Sequence, residues 1–134
     1  MTRARLFAWP GNEAFTRRLA AAVRGGTGRL RLHRFPDGET RVRFASDVRG
    51  RDVVLVDDIL ESGRTLAYAK DLFAARGARR VLTCVLLEKP GKRAVSLHAD
   101  FVGFICPDLF VVGYGMDVAH AFRQLPFVGV VEKN

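Results

Sequence analysis

Three short apolar runs set the limits on what this chain can fold into. ARLFAW at 4–9, VVLV at 53–56 and VLTCVLL at 81–87 place apolar residues in succession instead of alternating them with polar ones. A strand with one wet face alternates; a continuous run must be covered on both faces, which is the position of parallel strands in α/β proteins. The segments between these runs supply the covers. Asn12 can cap a helix whose apolar positions Phe15, Leu19, Ala22 and Val23 keep helical spacing, with Gly25-Gly26 to end it. RLRLHRF and TRVRF alternate around Pro36-Asp37-Gly38, which predicts a β-hairpin over 29–44. From Ser62 to Arg76, Leu66, Ala69, Leu72 and Phe73 line one helix face, and Gly77 follows. DFVGF, FVV and FVGVV supply short strands near the C-terminal end. The order predicts one α/β domain over 1–134 with a mainly parallel sheet flanked by helices. Right-handed crossovers then bring the ends of 4–9, 53–56 and 81–87 to one sheet edge, where ligands of open α/β sheets bind.

Composition narrows the class of ligand. The formal charge is +8, but the arginines are scattered along the chain and form no single run. The charge suggests anionic company, nucleic acid or phosphorylated small molecules, and alone decides little between them; with the arginines scattered, nucleic acid is not expected as a native partner. No apolar run approaches the roughly 18 residues of a spanning helix, and no apolar signal segment follows the first residues, so no membrane is expected. Two cysteines, Cys84 in an apolar run and Cys106 beside Pro107, fit a reducing cytoplasm.

The chemistry concentrates in VVLVDDILESGRTL, residues 53–66. Ser62, Gly63, Arg64 and Thr65 stand where a strand hands over to a helix. Open backbone N–H groups, the helix dipole and two hydroxyls there make a seat for a phosphate. Asp57 and Asp58, just upstream, cannot bind phosphate directly. They can accept hydrogen bonds from vicinal sugar hydroxyls or hold a hydrated Mg²⁺. Acid pair plus anion loop reads as a sugar-phosphate site; two acids favouring a helix dipole is the plainer alternative. No G-x-x-x-x-G-K-[ST] occurs, which excludes a Walker-type loop. Lys89, Phe110 and Asp117 each have a structural alternative: a solvated lysine, a core phenylalanine, and a cap for a helix over VAHAFRQL. The histidines 33, 98 and 120 show no ligand spacing and are given no role.

VVLVDDILESGRTL resembles the phosphoribosyl-pyrophosphate (PRPP) motif of type I phosphoribosyltransferases. LLEKPGKR, DFVGFICPDLFVVGYGMD and FRQLPFVGVV extend the resemblance, so that residues 51–131 are similar to the C-terminal half of hypoxanthine-guanine phosphoribosyltransferases. The resemblance implies a type I phosphoribosyltransferase fold with a small C-terminal hood, and purine salvage: phosphoribosyl passes from PRPP to hypoxanthine or guanine and pyrophosphate leaves. It implies that Asp57, Asp58, Ile59, Leu60, Glu61, Ser62, Gly63, Arg64, Thr65 and Arg123 bind PRPP, and that Glu61 is the general base. Lys89, Phe110, Val111 and Asp117 would hold the purine. Mg²⁺ would be the cofactor, on Asp57, Asp58 and Asp117, and the chain would form a homodimer or homotetramer.

Two departures qualify that picture. The family usually carries aspartate where Glu61 stands, and glutamate reaches one methylene further. Residues 1–50 instead resemble the N-terminus of PRPP synthetases, through RLFAWPGNEAFTRRLAAAV and LHRFPDGETRVRF. AWPGN would replace the pyrophosphate loop, and FPDGET a longer mobile lid. In the synthetases Phe35, Asp37 and Glu39 would match ATP contacts, but a plain hairpin turn accounts for them here. Synthetase activity itself is not expected, for want of a second domain. The departures leave a second reading open, a PRPP- or nucleotide-binding module without turnover; RNA binding through the arginines is a third.

Overall fold

A computed structural model describes residues 4–8, 11–34, 36, 40–119 and 121–132. Nine strands and two helices are present among them. In chain order these are β1 (Arg5–Ala8), α1 (Glu13–Ala22), β2 (Gly26–Thr27), β3 (Leu30–Arg34), β4 (Thr40–Phe44), β5 (Asp52–Leu60), α2 (Arg64–Ala75), β6 (Arg80–Glu88), β7 (Phe101–Ile105), β8 (Val111–Val112) and β9 (Gly129–Val130). Five strands form one sheet in the order β2-β1-β5-β6-β7, and every pairing in it is parallel. β3 and β4 form a separate antiparallel ribbon; β8 and β9 form another.

The apolar runs are continuous because the sheet is covered on both sides. Phe7, Val53, Leu55 and Val85 pack with Leu66, Ala69 and Phe73 of α2. Their neighbours in sequence, Leu6, Val54, Val56 and Cys84, turn to the other face and meet Phe15, Leu19 and Ala20 of α1. The rings of Phe7 and Phe73 meet edge to face with centroids 4.9 Å apart. Gly28 lies flat against this pair: a β-carbon there would fall 2.2 Å from the Phe7 ring. Asp52 starts β5 under paired hydrogen bonds from Arg79 and Arg80, which hold its carboxyl well below the usual carboxylate range. Thr83 and Asp100 exchange three hydrogen bonds and fix the start of β7 beside β6.

Several details differ from the sequence reading. The strand placed at 53–56 runs to Leu60, so Asp57 and Asp58 lie on the strand itself. Its last residue, Leu60, is buried in the α2-side core, and that burial carries the strand past the acids. On α1 the buried positions are Thr16 and Ala20, with Val23 56% exposed, so the helix is rotated from the face expected. Asn12 occupies the N-cap position but makes no side-chain cap bond. Residues 117–119 and 121–125 form turns, bends and isolated bridges, not the helix that Asp117 could have capped. The hairpin over 29–44 is present as β3 and β4. Trp9, Pro10, Phe35, Asp37, Gly38, Glu39 and His120 lie outside the described residues. Among the described residues no helix is long and apolar enough to cross a membrane.

Phe73 joins α2 to the sheet through the Phe7 ring, so Phe73→Ala is expected to cost about 3–5 kcal/mol. Urea unfolding should record this as a lower midpoint with an unchanged slope.

Candidate active site

The carboxyl ends of β5 and β6 open into a cavity of about 340 Å³. β5 brings Asp57, Asp58 and Ile59 to it and Glu61 follows; β6 leads to Lys89. Gly11 and Asn12, between β1 and α1, close one side. Phe110, Val111, Gly115, Met116, Asp117 and Arg123 form the hood opposite. A larger and shallower depression of about 650 Å³ lies at the other end of β5, around Ala45–Arg49 and Ala75–Gly77. It gathers no comparable set of acids, base and aromatic, so the smaller cavity is the candidate site.

Asp57 is buried at the cavity floor. Its Oδ1 accepts from Asn12 Nδ2 at 3.1 Å and from the Asp58 N–H at 3.0 Å. Burial, and then the charge of Asp58, push the Asp57 carboxyl up to about 7. Burial raises Asp58 as well. Asn12 is 3% exposed, and its Oδ1 has no hydrogen-bond partner among the described residues. A β-carbon on Gly115 would stand 3.2 Å from Gly11 O, 3.5 Å from Asn12 Oδ1 and 3.8 Å from Asp58 Oδ2. Glycine thus leaves room where three acceptors converge. Such a cluster suits a cation or a group rich in O–H donors.

The loop to α2 is shaped for an anion. Gly63 takes φ +78° as the N-cap, and a β-carbon there would meet Val95 at 3.1 Å as well as carry the wrong backbone hand. No side chain caps α2; the Arg64 N–H reaches Ser62 Oγ at 3.4 Å, a long contact. The first-turn N–H groups therefore point at the place a phosphate would take.

Lys89 is 6% exposed, not a solvated lysine, and its Nζ forms an ion pair with Glu61. Phe110 is 43% exposed at the cavity, not part of the core, and its carbonyl accepts from the Val131 N–H at 2.8 Å. Asp117 pairs with Arg123 at 2.8 Å. Asp57, Asp58, Ile59, Glu61, Lys89, Phe110, Val111, Asp117 and Arg123 thus share one cavity. The side chain of Leu60 does not join them, for it packs in the core. Its carbonyl accepts from the Lys89 N–H at 3.0 Å and so ties the acid strand to the lysine. Among the described residues no three His, Cys, Asp or Glu side chains gather as a metal cage.

Sequence reasoning missed Asn12, whose place before a helix looks like a cap, and the pair Glu88 and Arg93, which a run of charges around Lys89 conceals.

A family described as phosphoribosyl transferase domain matches residues 15–119. The hypoxanthine-guanine phosphoribosyltransferase of Bacillus subtilis is 47% identical over 87 residues, 65% of this chain and 48% of that protein. The hypoxanthine phosphoribosyltransferase of Salmonella typhimurium is 47% identical over 85 residues, 63% of this chain and 48% of that protein. The chain spans about half the length of these curated relatives. A crystal structure of a hypoxanthine phosphoribosyltransferase from Staphylococcus aureus superimposes with a TM-score of 0.84 at 28% identity, over 96% of this chain and 75% of that one.

The acid pair makes stability depend on pH. Asp57 titrates near 7 in the fold against 3.8 unfolded, so its contribution is complete below about pH 3.8 and is lost as the pH rises through 7. Asp52 has the opposite sign, and its contribution disappears only below about pH 3.8. The melting temperature of the ligand-free protein is expected to fall by several degrees between pH 5 and pH 8. In Asp57→Asn that slope should flatten, as followed by circular dichroism.

Proposed function

The chain belongs to the phosphoribosyl transferase domain family, and from that premise we propose that it transfers phosphoribosyl from PRPP to a 6-oxopurine, hypoxanthine or guanine, releasing pyrophosphate. The observation that carries the reading is the meeting of an acid pair, a buried lysine and a half-exposed aromatic ring in one cavity beside an uncapped helix N-terminus. The loop Ser62–Thr65 takes the 5′-phosphate on backbone N–H groups. Asp57 and Asp58 accept from the ribose hydroxyls. Phe110 stacks on the purine, Val111 and Asp117 border its exocyclic side, and Lys89 donates to its 6-oxo group. Arg123 turns from Asp117 to the pyrophosphate.

Mg²⁺ fits the floor of the site, where two carboxylates raised by burial stand beside the orphaned Asn12 oxygen. Asp57 and Asp58 would hold it together with substrate oxygens and water, Asp117 serving a second ion. When bound it would neutralise the charge of the leaving pyrophosphate. Glu61 accepts the proton of the purine ring nitrogen as the ribosyl carbon loses pyrophosphate. For that step its carboxylate must leave Lys89, and the purine 6-oxo group takes its place on the ammonium. The reading places the protein in the cytoplasm with its phosphorylated substrates. It also makes it a homodimer or homotetramer, an expectation supported by the exposed Phe101, Phe104, Ile105, Phe127 and Val130.

The Glu61–Lys89 pair favours one further reading, a nucleotide-binding module whose base and base-recognition groups occupy each other. A spectrophotometric assay with PRPP, Mg²⁺ and hypoxanthine separates the two. The parent is expected to turn over, Glu61→Asp to run about ten- to a hundredfold faster by restoring the reach of the base, and Glu61→Gln to be inactive. Binding of PRPP with no turnover by the parent or by Glu61→Asp would establish the module instead.

A further inference from the structure

Arg93 has no part in the roles above, yet its guanidinium joins the two halves of the cavity. Nη1 donates to the carbonyls of Leu60 at 3.1 Å, Lys89 at 3.4 Å and, closer still, Glu61. Nε donates to the Leu97 carbonyl at 3.1 Å. Nη2 forms an ion pair with Glu88, which precedes Lys89 at the end of β6. Leu60 and Glu61 lead into the phosphate loop, and Leu97 with Val95 backs Gly63 in that loop. The next residue continues the tie, for the Ala94 N–H donates to the Ser62 carbonyl at 2.9 Å. One planar cation therefore fixes the main chain on the phosphate side and on the lysine side together.

These contacts go beyond what stability of the fold requires. Three of the four carbonyls are those of Glu61, its neighbour Leu60 and Lys89; the fourth, of Leu97, belongs to the segment that packs behind Gly63, and the acid that anchors Arg93 is next to Lys89 in sequence. Both Arg93 and Glu88 are mostly buried, with side chains 19% and 18% exposed. A hydrophobic side chain could fill that volume without the cost of desolvating charges. What only a guanidinium supplies is a rigid fork of donors in a fixed plane.

We propose that Arg93, anchored by Glu88, is a positioning residue that sets the phosphate loop and Lys89 in one fixed relation, so that a bound sugar phosphate and a bound purine are brought into register. The proposal rests on the transferase reading of the cavity. It follows that the two half-sites bind their own fragments almost normally without Arg93, while any step or ligand that needs both at once is impaired. Misplacement of reacting groups by about 1 Å costs on the order of a hundredfold in rate.

The test uses the full chain and its Arg93→Lys, Arg93→Met and Glu88→Gln variants, each checked by thermal melting and assayed well below its melting temperature. Lysine keeps the charge and the ion pair but cannot reproduce the fork. Arg93→Lys is expected to lower kcat about a hundredfold while KM for PRPP and for hypoxanthine each change less than about threefold. By calorimetry, its affinity for inosine 5′-monophosphate should fall about tenfold, with that for ribose 5-phosphate almost unchanged. Glu88→Gln, which keeps the carbonyl bonds, should move in the same direction by less. A lowered melting temperature with kcat and the ratio of the two affinities unchanged in Arg93→Lys and Glu88→Gln would overturn the proposal and leave Arg93 a packing residue. A parent that neither turns over nor binds inosine 5′-monophosphate would overturn the transferase reading, and the positioning role with it.

Discussion

The parallel pairing of β5 with β6 is the constraint on which the rest of the molecule depends. Its register runs from Asp52 opposite Arg80 to Leu60 opposite Glu88, so the two strands reach the same edge together. Asp57 and Asp58 sit near the end of one strand, and Glu88 and Lys89 close the other. Because α1 and α2 cover opposite faces of the sheet, neither strand can slip by one residue without exchanging its two apolar faces. The positions of the acids and the lysine are therefore set by the core. The hydrogen bonds at Asp52 secure the far end of this pair, and those between Thr83 and Asp100 tie β6 to the start of β7.

At the open edge the chain accepts unfavourable electrostatics. Two adjacent carboxylates are partly removed from water, and the amide beside them keeps an unsatisfied oxygen. Neither feature helps the protein fold. Both would be relieved by a ligand that brings positive charge and O–H donors, the character of the metal-bound sugar phosphate proposed above. The glutamate at position 61 belongs to the same pattern. Its carboxylate reaches Lys89 and pairs with a buried ammonium; in the proposed reaction a substrate carbonyl would take that place.

Much of this was legible in the sequence, for identifiable reasons. Continuous apolar runs marked β5 and β6, and the string from Asp57 to Thr65 marked the acids and the anion loop. Lys89 and Phe110 were placed at the cavity by resemblance to a family and not by their own pattern, since either residue type at such a position has an ordinary structural explanation. The rotation of α1 was missed because Thr16 is a polar residue on the buried face, and a periodicity of apolar residues cannot register it. Asn12 was misread for a related reason: its carboxamide is used across 45 residues by Asp57 instead of locally by the helix. Arg93 was missed because four of its partners are carbonyls, which leave no trace in side-chain sequence, while its acid partner Glu88 stands in a run of charges around Lys89. The helix expected over 118–125 is not formed, for Ala119 and Phe122 adopt positive φ, a backbone conformation that a helix does not use.

The proposed function makes the acid pair at the end of β5 a seat for a metal-bound phosphoribosyl group. Calorimetric titration of PRPP into the protein, with and without Mg²⁺, and into Asp58→Asn, tests this most directly. The expected result is one site whose affinity depends on Mg²⁺ and falls at least tenfold in the variant, about 1.4 kcal/mol. PRPP binding indifferent to both Mg²⁺ and Asp58 would contradict it, and would locate the phosphate contacts somewhere other than the edge to which β5 and β6 lead.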